Sequence, residues 1–179
     1  MTQADNDNTV KTGMIVGVLI TLVSFLVLYL LFPQYDAEVI LVERFKLAIQ
    51  CLVFPAAFFV ITVVRIGMQR FGNSSDDPTQ TVANSEAMAI DLRVLSNTHE
   101  QIVLFALNTL CLAMLLPFAF LSLLPVYSAV FVFGRVLFWA GYRYNVLWRA
   151  PGFAMNIIPA AAGLGYCCIV LVLGFIQSF

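Results

Sequence analysis

Five apolar runs, each about twenty residues long, fill most of the chain and are separated by short polar or proline-containing breaks. A helix needs about 20 apolar residues to cross the roughly 30 Å hydrocarbon core of a bilayer, whereas a barrel strand needs about ten, alternating in polarity. The runs therefore predict membrane-spanning helices. Composition agrees: 61% of the 179 residues are hydrophobic, 11% are charged and the mean hydropathy is +0.94, far from a soluble domain's balance. A net charge of −1 offers no basic surface for nucleic acid. The expectation is an all-α integral membrane protein of one domain, in contact with membrane lipids, with no nucleic-acid partner.

Residues 1–12, MTQADNDNTVKT, are too acidic at the start for a signal peptide's positive region and read as a short disordered tail. The first span covers 13–32 and stops at Pro33; Gly13 and Gly17 make a single GxxxG, a match that chance is enough to explain. Residues 34–46 carry Asp36, Glu38, Glu43, Arg44 and Lys46 and read as an amphipathic surface segment. The second span covers about 45–67, with Pro55 expected to kink it and Arg65 near enough its end to snorkel or to reach a polar site. Residues 71–86 read as an exposed loop from their Gly, Asn, Ser, Asp and Pro content. The third span, about 92–116, and the fourth, about 126–148, are joined by an uncharged hairpin between Pro117 and Pro125. The fifth, about 153–175, holds the small-residue run AAAGLG at 160–165. Five spans place the N-terminus with Lys11, Arg65, Arg70, Arg93, Arg143 and Arg149 on one side, and only Arg44 and Lys46 on the other. The positive-inside rule makes the first side cytoplasmic. Cys51, Cys111, Cys167 and Cys168 all lie in apolar segments and read as small packing residues.

Two polar stripes interrupt the apolar pattern. Arg93, Asn97 and Glu100 stand at i, i+4 and i+7, which on a helix puts them on one face. Left facing lipid, each would cost on the order of a few kcal/mol, so they must look inward. Arg135, Tyr142 and Arg149 follow at seven-residue intervals and form a second stripe toward the same membrane face. A structural role, with hydrogen bonds between helices, and a functional one, with a polar cavity, are both open from the spacing. Charge tips the balance. Arg93, Arg135 and Arg149, with Arg65 as a fourth, face a single intramembrane carboxylate, Glu100, so a small anionic ligand bearing carboxylates and an ammonium group would satisfy the set. Terminal arginines such as Arg143 and Arg149 can also simply touch lipid headgroups. His99 is alone and off the stripe, and no metal-ligand spacing appears, so no metal site is expected.

RVLSNTHE, residues 93–100, resembles the R-x-x-x-N-x-x-E signature of the membrane-associated proteins in eicosanoid and glutathione metabolism, the MAPEG superfamily of microsomal glutathione transferases, leukotriene C synthase and prostaglandin E synthase. GRVLFWAGYRYNVLWRAP, residues 134–151, is similar to the family's following helix in its Gly-Arg start, its Tyr seven residues on and its Arg seven beyond that before Ala-Pro. The resemblance covers 44–175, a four-span domain; the extra span at 13–32 resembles the mattrin branch. It implies a homotrimer of four-helix units with glutathione as co-substrate, bound between subunits near the cytoplasmic face, and a lipophilic second substrate. It implies that Arg93, Asn97 and Glu100 hold the peptide, that Tyr142 contacts it, that Arg149 is the catalytic residue facing the sulfur, and that Arg135 braces the site. Three departures bear on activity: Gln101 and Phe138 replace aromatic and tyrosine positions, and Phe153 replaces the arginine of prostaglandin E synthase. A non-catalytic member that regulates other membrane proteins or binds lipid is the alternative.

Overall fold

Segments with no hydrophilic alternation can satisfy their backbone in hydrocarbon only as helices, and helices are what form. The computed structural model describes residues 3–35, 39–72 and 85–177. These contain five long helices, α1 (Gln3–Leu31), α2 (Leu41–Gly72), α3 (Glu86–Leu115), α4 (Leu123–Tyr144) and α5 (Ala150–Gln177), with no strand among the described residues. All five are long and apolar enough to cross a membrane. The protein is an integral, multi-pass helical bundle. The expected exposed loop falls for the most part at residues 73–84, and Asp36 and Glu38 at 36–38, outside the described residues.

The helices run beyond the apolar windows, and local chemistry explains the overruns. Residues 3–12, expected as a disordered tail, are instead the first turns of α1. Asp5 complements the dipole of the first turn, Gln3 donates to Asp7 one turn on at 3.3 Å, and the Thr9 hydroxyl donates to the Asp5 carbonyl at 2.9 Å. Helix α3 starts at Glu86 because Ser85 caps it, its hydroxyl accepting from the Met88 amide at 3.2 Å. Helix α4 stops at Tyr144, short of the expected 148, because Asn145 is extended (φ −163°, ψ 134°) and turns its own Oδ1 to the Leu147 amide at 2.9 Å. Arg149 therefore sits on a short 3₁₀ turn, Val146–Arg149, and not on the helix that carries Arg135 and Tyr142.

Packing pairs α2 with α3 and α4 with α5, and α1 lies along α5 with further contacts to α4 and the turn that follows it. The GxxxG of α1 is not incidental. A Cβ on Gly17 would lie 2.5 Å from the Pro151 carbonyl oxygen and 2.8 Å from Ala154 Cβ, and one on Gly13 would lie 3.0 Å from Ala150 Cβ, so α1 approaches the start of α5 backbone to backbone. Tyr29 and Ser122 tie the other end of α1 to the α3–α4 hairpin through the Ala119 and Pro33 carbonyls. In α2, Pro55 has no amide for the Cys51 carbonyl four residues back, and that carbonyl accepts from the Ser128 hydroxyl of α4 at 2.6 Å. Arg44 donates to the Leu116 carbonyl at 2.7 Å and to Ala113 at 3.4 Å, covering the free end of α3. The core runs down the middle, where the Phe105 ring packs at a tilt against Tyr127 and Phe131, its centroid 4.6 Å from each.

Candidate functional site

At the arginine-rich end of the bundle, five elements surround one cavity of about 420 Å³. Helix α3 contributes Arg93 and Asn97, one turn apart; α4 contributes Phe138 and Tyr142, also one turn apart; the 3₁₀ turn contributes Leu147 and Arg149; α5 contributes Phe153. Val10 and Met14 of α1 close the remaining side. Of the residues expected from sequence to share a site, Arg93, Asn97, Tyr142 and Arg149 meet here. Gly141 makes this possible: a Cβ there would run into the Trp148 carbonyl, so only glycine lets the turn carrying Arg149 fold back against α4.

Three of the cavity's polar groups, Arg149, Tyr142 and Asn97, are held from behind, whereas Arg93 is exposed. The Arg149 guanidinium stands over the Tyr142 ring, 5.2 Å from its centroid, and one Nη donates to the Val146 carbonyl at 2.6 Å. Tyr142 is set edge-on against Phe138 at 5.3 Å. Asn97 Oδ1 accepts from Arg135 Nη1 at 2.8 Å, which leaves the amide's Nδ2 donors for the cavity. Arg135 itself is fully buried, with Nε donating to Asn156 Oδ1 at 2.8 Å and its plane 4.6 Å from the Phe138 centroid. Among the described residues its Nη2 has no partner. A buried guanidinium held only by two amide oxygens and aromatic faces remains a net positive charge behind the cavity wall.

Two expected members stand elsewhere in the single subunit. Glu100 is exposed, one turn beyond Asn97, on the outer surface of α3. Arg65 does not line the cavity; its Nε donates to Asp91 Oδ2 at 3.3 Å. Asp91 is the carboxylate that sequence reading passed over, because it falls at the edge of the apolar window. With α3 beginning at Glu86, it lies in the second turn, its side chain only 2% exposed. It accepts from Gln69 at 2.9 Å, from Trp139 Nε1 at 2.8 Å, and from Arg143 as well as Arg65. Arg143, given to lipid headgroups as one option, is thus half of this knot. The signal was present: Asp91, Val94, Thr98 and Gln101 recur at i, i+3, i+7 and i+10, and all are buried. Asn156 was likewise missed as a lone polar residue in an apolar run. His99 stacks on Phe59 at 5.8 Å.

Once Asp91 has taken Arg65 and Arg143, Arg93 and Arg149 form no ion pair among the described residues. The cavity is cationic, with an amide and a phenol between its arginines. A second cavity of about 550 Å³ lies toward the hairpin end between α1, α3, α4 and α5, but no charged residue lines it. Its chemistry is that of hydrocarbon.

The sequence model of the MAPEG family matches residues 46–169, from early in α2 to late in α5, and α1 lies outside it. No curated protein and no solved structure matches the chain.

Proposed function

The chain belongs to the MAPEG family, and from this we propose that it binds glutathione in the cationic cavity and uses it as co-substrate in a transferase or peroxidase acting on lipophilic electrophiles. One observation carries the reading: Arg93 and Arg149, without carboxylate partners among the described residues, share one cavity with Asn97 and Tyr142. Glutathione brings two carboxylates, amide carbonyls and an ammonium group, a complement to such a set. Glu100, exposed on α3 at membrane depth, is costly against lipid and gains a partner if a neighbouring subunit and the ligand's ammonium cover it. A homotrimer with the ligand between subunits supplies that cover. The basic residues at this end support a cytoplasmic orientation for it.

In this reading Arg149 is the catalytic residue and Arg93, Asn97, Glu100 and Tyr142 hold the peptide. A free thiol titrates at about 8.5, so near neutral pH it is mostly protonated. A guanidinium beside the sulfur favours the thiolate, the proton passing to solvent. The sulfur lone pair then forms a bond to the electrophilic carbon, and the displaced electron pair leaves with the leaving group or takes up a proton. Arg135 acts through Asn97 and positions the site without touching the ligand, whereas Arg65, held by Asp91, braces the helices beside it.

Titrating glutathione into the purified protein while following thiolate absorbance tests this. Glu100→Gln removes a charged partner worth about 1.5–3 kcal/mol and weakens binding by roughly 10- to 100-fold. Arg149→Ala leaves much of the binding but raises the pH at which the bound thiol ionises, lowering turnover at neutral pH. Absence of binding to wild type at millimolar glutathione sinks the enzyme reading. It promotes a non-catalytic membrane regulator, which the hydroxyl-less Phe138 in the cavity and the added α1 favour.

A further inference from the structure

We infer that α1, the helix outside the family match, forms the wall for the second substrate, and that Val10 and Met14 set the size of the apolar group joined to the glutathione sulfur. The inference rests on the glutathione reading and deepens it. Around the cavity, the polar groups that would hold a peptide come from α3 and α4, while the wall that Arg149 shares with the 3₁₀ turn, α5 and α1 is completed by Leu147, Ala150, Phe153, Val10 and Met14, all apolar. A thiolate facing Arg149 is therefore bordered by apolar side chains. Any electrophilic carbon within bonding reach of that sulfur must place its substituents against them.

The α1 wall is fixed relative to Arg149. Gly13 and Gly17 bring α1 into backbone contact with Ala150, Pro151 and Ala154, directly after the turn that carries Arg149. Val10 and Met14 stand one turn apart, beside those glycines, and both are half-buried. Helix α1 and the Arg149 turn thus form one packed unit, and the apolar end of the cavity has a set width. Met is the more adjustable of the two side chains, with an unbranched stem that can follow different alkyl shapes.

Binding of an S-alkyl series separates this from the peptide site. Glutathione, S-methyl-, S-butyl- and S-octylglutathione are titrated calorimetrically into the full-length protein in detergent. Wild type should bind more tightly as the chain lengthens. Met14→Trp should weaken S-octylglutathione through overpacking by about tenfold more than it weakens glutathione or S-methylglutathione. Met14→Ala, an easily accommodated change, should flatten the gain from methyl to butyl, and it keeps the test readable if the Trp variant folds poorly. Equal weakening across the series in either variant, or no change in its slope, overturns the inference while glutathione binding itself persists. Failure of wild type to bind glutathione at all is a different result, and it removes both this inference and the transferase reading.

Discussion

Arg135 and Asp91 show how differently a buried charge can be managed within one bundle. Arg135 has no carboxylate and is held by Asn97, Asn156 and two aromatic faces, so its charge remains available to whatever fills the cavity. Asp91 is the reverse: four donors from α2 and α4 converge on one carboxylate, neutralising it and binding three helices at the arginine-rich end. Arg65 and Arg143 are each 40% exposed, so if the carboxylate is lost they can turn to headgroups or water, which places the cost below that of a fully buried pair. Asp91→Asn should therefore destabilise by about 1–2 kcal/mol, lowering the apparent melting temperature in detergent by roughly 2–8 °C. Glutathione affinity should change little, because Asp91 and Arg93, two residues apart, face different sides of α3. A large loss of affinity with unchanged melting would place Asp91 in the ligand site instead.

Helix number and order follow from the apolar runs because length and hydrophobicity alone decide which segments can cross hydrocarbon. The boundaries do not, because capping residues set them: Ser85 extends α3 backward past the polar stretch, and Asn145 cuts α4 short where hydropathy continues. The site was legible to the extent that its residues share a helix, as Arg93 and Asn97 do. What joins Arg149 to Tyr142 is a change of direction that seven-residue spacing cannot express, and the pairing of Arg65 with Asp91 depends on which faces of α2 and α3 meet. Asn145 makes the turn testable. Asn145→Ala loses the cap on Leu147, about 1 kcal/mol, and lets α4 continue. Arg149 would then drift from the cavity, and the bound thiol's ionisation should move up in pH, in the direction of Arg149→Ala but by less. An unchanged thiolate titration would mean that Gly141 and the α5 contacts hold the turn without the cap.

For the molecule as a whole, α1 and the oligomer have to be considered together. Helix α1 packs chiefly on α5, with lesser contacts to α4, while Val53, Phe54, Val60, Ile61 and Val64 of α2 are exposed in the single subunit. Exposed apolar surface is ordinary against lipid, but Arg93 and Glu100 are exposed as well, and charges at membrane depth are not. Contacts through α2, α3 and α4 would cover them in the proposed trimer, and would leave α1 at the rim of each subunit with its glycine seam closed on its own α5. Removal of residues 1–32 then separates two roles that point mutations blur. The truncated protein should remain trimeric by light scattering in detergent, lose the hydrogen bond from Tyr29 to the Ala119 carbonyl, and melt earlier. Glutathione should still bind, since Arg93, Asn97, Tyr142 and Arg149 all lie beyond the deletion, whereas preference among S-alkyl chain lengths should vanish with Val10 and Met14. Dissociation to monomers would make α1 a core element of the assembly. Loss of glutathione binding with the trimer intact would make it part of the peptide site.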